Sequence, residues 1–145
     1  MIMTILFSVI SIGVLATLTM TAFSYGVSYF THSNMKEPQL INLFIRRIPS
    51  QPFKIGKEHV LGWVIHVLIG IFLVVIFNFC RHIFNIPITL VSGIIFGSIA
   101  GVIGVCFWQL GFIIHPHPPS VERKKYYLHL IFAHIIFGIT MVLLM

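Results

Sequence analysis

The amino-acid sequence predicts an all-α membrane protein: a bundle of four transmembrane helices with a short interfacial helix between helices 1 and 2. Hydrophobic residues make up 58% of the chain and charged residues only 8%, whereas an ordinary soluble domain is about 25% charged. Four apolar stretches are each long enough to cross the ~30 Å hydrocarbon core of a bilayer as a helix. Eight of the nine Lys and Arg residues lie in two gaps between these stretches.

Composition and net charge indicate the classes of partner. A water-soluble fold of 145 residues leaves too much surface exposed to hide this much apolar area, so we expect a single membrane domain over residues 1–145. The net charge of +6 does not indicate nucleic-acid binding, because basic loops beside membrane spans follow from the positive-inside rule. The predicted partners are the lipid bilayer and either other membrane subunits or a second copy of the chain.

The first span is predicted over about residues 4–30, which contain no charged residue. Four hydroxyl residues recur at intervals of three or four and therefore share one helix face: Thr17, Thr21, Ser24 and Ser28. Such a face approaches a neighbouring helix closely and hydrogen-bonds to it. No Lys or Arg precedes the span and no small-residue cleavage site follows it, which favours a retained span over a signal peptide.

A short amphipathic helix is predicted over about residues 38–48. Pro38 suits its first turn and Pro49 ends it. Apolar side chains recur at helical spacing between the two prolines, at Leu40, Ile41, Phe44, Ile45 and Ile48. With Arg46 and Arg47 beside this stripe, we expect the segment to lie flat on the membrane with its apolar side in the headgroups. A docking surface for a soluble partner is the alternative.

The second span is predicted over about residues 60–79 and the third over about residues 88–114. Arg81 lies in the tight turn between them, where we expect Asn85 to cap the third helix and Pro87 to occupy its first turn.

The third span carries glycines at strict four-residue spacing, Gly93, Gly97 and Gly101. Small residues at this interval let two helix backbones meet in a membrane. The stripe therefore predicts a helix-packing interface, either within the chain or between copies.

The last span is predicted over about residues 126–145. The His-Pro-His-Pro-Pro sequence of residues 115–119 cannot continue a helix, and Arg123, Lys124 and Lys125 mark the start of the span. The gaps after the first and third spans hold five and three basic residues, and the turn after the second holds one. The positive-inside rule therefore predicts cytoplasmic basic loops and both termini outside.

Two histidines are predicted at equal depth. His66 lies nine residues after Lys57 and His134 nine residues after Lys125, or about 13 Å along each helix. In one hypothesis the neutral imidazoles hydrogen-bond across the bundle. In another they ligate haem b from opposite sides. Nearby glycines let either a neighbouring helix pack closely or a macrocycle fit, and they are Gly62, Gly70 and Gly138.

A third hypothesis places a transition metal at His115 and His117, because imidazole is a ligand for Zn, Cu and Ni. Cys80 and Cys106 are expected at different depths, too far apart for the ~7 Å Cα separation of a disulfide.

The acidic residues are few, and the chain contains no Asp. Glu37, Glu58 and Glu122 lie in the basic loops or at their edges. We therefore expect no carboxylate inside the membrane, which disfavours ion-coupled transport.

The chain resembles a bacterial four-helix inner-membrane family known as a domain of unknown function. The residues that carry this resemblance are Gly62-Trp63-Val-Ile-His66 followed by Gly70, Ala133-His134-Ile-Ile-Phe-Gly138, and the segment from Leu40 to Pro49. The resemblance implies a multi-pass protein of the bacterial inner (plasma) membrane and a shared role for His66 and His134. It implies no activity.

The predicted function is that of a small integral membrane protein without enzymatic activity. It is an accessory or scaffolding subunit of a membrane complex, or a homo-oligomer held by the glycine stripe. The alternatives are a haem- or metal-binding protein and a carrier or channel for a small solute. The sequence contains no hydrolase, redox or nucleotide motif, which argues against an enzyme.

Overall fold

The computed structural model describes residues 2–49 and 54–145, and within them it contains five helices and no strand. The helices are α1 (Ile2–Thr31), α2 (Glu37–Arg46), α3 (Val60–Phe84), α4 (Leu90–Ile114) and α5 (Arg123–Leu143). All except α2 are long and apolar enough to cross a membrane. The predicted all-α fold class with four membrane-spanning helices is confirmed.

The turn between α3 and α4 differs from its prediction. Helix α3 continues to Phe84 and includes Arg81, and Asn85 ends it in a left-handed conformation with φ of 51°. Asn85 therefore caps the end of α3, and the start of α4 is capped by Thr89, whose hydroxyl accepts the backbone N–H of Ser92 at 3.2 Å. The prediction that Asn85 caps the following helix was wrong, because Asn tolerates left-handed backbone and also suits this position.

The helices pack in the spatial order α4, α5, α1, α3, and α2 packs against α3. We call the end of the bundle that carries the two basic loops the basic end, and the other end the Arg81 end. An apolar core joins α1, α3 and α5, with Ile12, Ala16, Met20, Val74, Phe77, Ala133, Phe137, Met141 and Val142. A second core lies at the basic end between α2, α4 and α5, and includes Leu40, Phe112, Tyr126 and Leu130.

The glycine stripe of α4 faces α5. A methyl group built on Gly93 would lie 2.6 Å from the carbonyl oxygen of Gly138, and one on Gly101 would lie 2.8 Å from the Cα of Ile131. A methyl group on Gly97 would collide with the backbone at His134. This face of α4 is therefore covered inside the chain and is not free to hold a second copy.

Part of the apolar side of helix α2 packs against the rest of the protein, and Ile48 just beyond its end is exposed. Leu40 is 0% exposed, and the Phe44 ring lies 5.8 Å from that of Trp108 and 4.4 Å from that of His115. The side chain of Asn42 donates to the carbonyl oxygens of residues 57 and 59 and accepts from the amide of residue 62. These bonds satisfy backbone groups at the start of α3, so they hold α2 against the protein.

Candidate functional site

The most unusual buried group is the carboxyl of Glu37, the first residue of α2. Residues 32–36 reverse the chain after α1, and Pro38 fixes the first turn of α2. The chain therefore returns into the bundle, and Glu37 is only 2% exposed. The sequence indicates only that Glu37 lies in a basic gap, whereas the fold packs this part of the gap between the long helices.

The carboxyl of Glu37 contacts a serine side chain from α1 and a histidine side chain from α5. The Ser24 hydroxyl donates to Glu37 Oε1 at 2.7 Å. His129 Nε2 lies 3.0 Å from the Ser24 hydroxyl and 3.3 Å from Glu37 Oε1. Because Ser24 has one proton and gives it to the carboxylate, His129 Nε2 carries the proton of its own bond. We call Ser24, Glu37 and His129 the acid–histidine cluster.

Several polar atoms in and beside this cluster are buried without a hydrogen-bond partner among the described residues. They are Glu37 Oε2, His129 Nδ1 and the hydroxyl of Tyr126. Leaving a buried polar atom unpaired costs about 1–3 kcal/mol. Each such atom in a native protein therefore needs an explanation, and a functional role is one.

A second polar contact lies next to the cluster along α1. The Thr21 hydroxyl donates to the carbonyl oxygen of Thr17 at 2.7 Å and lies 3.0 Å from His66 Nε2. Since the threonine proton is already used, His66 Nε2 is the donor in this bond. Thr21 and Ser24 are three residues apart and share a helix face, so α1 carries a continuous polar line into the bundle.

His134 completes the set of buried imidazoles. Its Nδ1 donates to the carbonyl oxygen of Leu130 at 2.8 Å. His134 is 8% exposed and His66 6% exposed, so both rings lie inside the bundle. The His66 bond joins two helices, as the first sequence hypothesis expected, whereas the His134 bond returns to α5 itself.

The geometry around His66 and His134 does not fit a haem. The glycines that were expected to clear space for the macrocycle face protein atoms instead. Gly62 faces Pro38 and Asn42, Gly70 faces Thr17, and Gly138 faces Gly93. The space beside the two histidines is therefore filled by neighbouring helices.

The metal site predicted at His115 and His117 is not formed. His115 Nε2 lies 3.0 Å from the carbonyl oxygen of Phe44, and His115 Nδ1 accepts the backbone N–H of His117 at 3.0 Å. Both ring nitrogens are engaged, so this imidazole has no free lone pair for a metal ion. In residues 2–49 and 54–145 no group of three or more His, Cys, Asp or Glu side chains is placed to hold a metal.

The predicted interfacial basic residues lie exposed at the basic end: Arg46, Arg47, Arg123, Lys124 and Lys125. The Arg47 guanidinium donates to the carbonyl oxygen of Pro118 at 2.8 Å, which joins the two basic loops. Lys125 forms an exposed ion pair with Glu122 at 2.9 Å.

The sequence analysis singled out Ser24 as part of a polar face but assigned no role to Glu37 or His129. The polar face of α1 was the signal in the sequence that a buried polar partner had to exist.

No family model, no curated protein and no solved structure matches the chain, and the resemblance to an uncharacterised four-helix family stays a prediction.

Proposed function

We propose that this multi-pass membrane protein is a proton-coupled carrier or channel for a small solute, with Glu37 and His129 as its proton-exchanging pair. The observation that carries the proposal is a carboxyl and an imidazole 3.3 Å apart inside a membrane bundle, each with one unpaired atom. Ionisable groups inside membrane proteins are costly and mark ion pathways and proton relays.

The pair can hold one proton in two ways without a change in net charge. The proton lies on the carboxyl beside a neutral imidazole, or on the imidazole beside a carboxylate. A second proton makes the pair positive, and loss of the first makes it negative. Because a charge in a low-dielectric interior is expensive, each change alters the stability of the packing around it. Proton binding is thereby coupled to the position of α2, which carries Glu37.

The arrangement along the bundle also supports transport. The acid–histidine cluster and the Thr21–His66 contact form a polar track in the half of the bundle nearer the basic end. An apolar layer follows, with Ala16, Val74 and Phe77. A hydrophobic constriction of this kind can act as the gate of a channel.

Orientation and membrane belong to the same proposal. The positive-inside rule places the basic end, and with it the cluster, at the cytoplasmic face. The family resemblance favours a bacterial inner membrane. A homo-oligomer held by the glycine stripe is less well supported, because α5 covers that stripe within the chain. An accessory or scaffolding role stays a prediction.

The test uses purified protein in liposomes that enclose a pH-sensitive dye. After a pH step, organic acids, polyols and amines are added in turn, and the dye reports proton movement that the solute starts. We expect at least one class to start proton flux in the unmodified protein. The Glu37→Gln variant should respond like liposomes without protein, because the amide cannot exchange the proton.

Two control variants test whether a loss of proton flux is specific to the acid–histidine cluster. Glu58→Gln removes an exposed carboxyl, and Thr19→Val removes a lipid-facing hydroxyl from the same helix as Ser24. Both should retain the flux. Identical traces for Glu37→Gln and the unmodified protein, or no flux with any solute class, would reject the proposal.

A further inference from the structure

We propose that the cavity at the Arg81 end binds one phospholipid of net negative charge, with its phosphate at Arg81 and an acyl chain along α1 and α3. This inference does not depend on the proposed transport activity, since it concerns the opposite end of the bundle from the acid–histidine cluster.

The cavity has a volume of about 480 Å³ and lies between the start of α1 and the last turns of α3. Its polar side chains include Ser8, Asn78 and Arg81, and its apolar wall includes Ile5 and Val75. Apolar side chains outnumber polar ones, and the polar groups from α3 lie near its end. This distribution suits a molecule with a polar head and an apolar tail.

The guanidinium of Arg81 supplies the positive charge that favours a negatively charged headgroup. Among the described residues, Arg81 is the only Lys or Arg that lines the cavity, and it is half-buried. Its Nε atom is buried and lacks a hydrogen-bond partner among the described residues. A guanidinium binds phosphate through paired N–H donors, so an unpaired N–H at this position matches a phosphate oxygen.

Position along the helix favours a lipid over a small soluble anion. Arg81 lies in the last turn of α3, where a membrane-spanning helix reaches the headgroup region. The side chains around the cavity are substantially exposed, with Val75 at 48% and Ile5 at 59%, so an acyl chain can enter from the bilayer. Phosphatidylglycerol has the required charge and apolar length.

The test is native mass spectrometry of the protein in zwitterionic nanodiscs to which phosphatidylglycerol or phosphatidylcholine is added. We expect a one-lipid adduct that favours phosphatidylglycerol by about fivefold, the effect of one basic residue near an anionic lipid. Arg81→Gln should lose this preference, whereas Arg81→Lys should retain part of it. Arg46→Gln removes an exposed charge from the basic end and should bind like the unmodified protein.

A second variant keeps the arginine and fills the cavity. Ser8→Phe places a ring in the cavity from α1, and it should lose the adduct while circular dichroism shows an unchanged helix content. Equal binding of the two lipids, an unchanged preference in Arg81→Gln, or displacement of the lipid by soluble inorganic phosphate would each overturn the proposal.

Discussion

Glu37 illustrates how the fold decides the environment of a single residue. In the sequence it follows Lys36 in a strongly basic gap, where a carboxyl is ordinarily solvated. In the structure the two neighbours separate. Lys36 lies over the Tyr25 ring at 4.8 Å, while Glu37 turns inward to Ser24 and His129.

The contact between Glu37 and His129 should contribute measurable coupling. We expect Glu37→Gln and His129→Gln to be non-additive in stability, with a coupling free energy of roughly 1–2 kcal/mol, at the upper end for polar contacts in membrane proteins. The exposed Lys125–Glu122 pair should show less than about 1 kcal/mol. A double-mutant cycle of unfolding free energies measures both values. Additive effects at Glu37 and His129 would show that the two side chains do not interact.

At the scale of the helices, the α4–α5 contact depends on the absence of side chains. The backbones meet so closely at Gly93, Gly97 and Gly101 that a methyl group has no room. Lipid-embedded helices gain little from burying apolar surface against one another, so close packing carries much of their association.

Substitution of Gly97 by Ala should therefore destabilise the protein by about 1–3 kcal/mol, the usual cost of forcing extra volume into a packed interface. Gly26 in α1 provides the matched control, because a methyl group there meets nothing within 4 Å. Gly26→Ala should be neutral or stabilising by up to about 1 kcal/mol, since Ala is the better helix former. Thermal unfolding in detergent compares the two. Equal effects would mean that the Gly97 contact is absent.

The four spans and the short helix after the first were predictable because their apolar content and proline boundaries act locally. The direction that the apolar side of α2 faces was not predictable from the sequence. Its amphipathic pattern suits a membrane surface as well as a protein groove, and the choice depends on Asn42, whose partners lie 15 to 20 residues further along the chain.

The candidate site was predictable to the same extent. Its local features followed from the sequence, and its long-range contacts did not. The polar face of α1 followed from helical spacing, and His66 and His134 are both buried inside the bundle. The acid–histidine cluster joins residues that are 92 and 105 positions apart. No local pattern brings such residues together, so a role for Glu37 and His129 emerged only from the packed helices.

At the scale of the whole molecule, the basic loops predict the orientation in the membrane. In a Cys80→Ser/Cys106→Ser background, single cysteines at Pro87 and Ser120 report on the two ends, because both positions are exposed. A membrane-impermeant maleimide should label the cysteine at position 87 in intact cells. The cysteine at position 120 should react only after permeabilisation, and the reverse pattern would contradict the proposed orientation.

The proposed function requires that the carboxyl of Glu37 exchanges a proton inside the bundle. The chain has only three acidic side chains, so the Glu58→Gln/Glu122→Gln variant keeps Glu37 as its one carboxylic side chain. Infrared difference spectra of this variant in lipid, recorded as the pH is stepped, should show the C=O band of a protonated carboxyl appearing and disappearing reversibly. A variant that also carries Glu37→Gln should lack that band, and the same spectrum from both proteins would contradict the account.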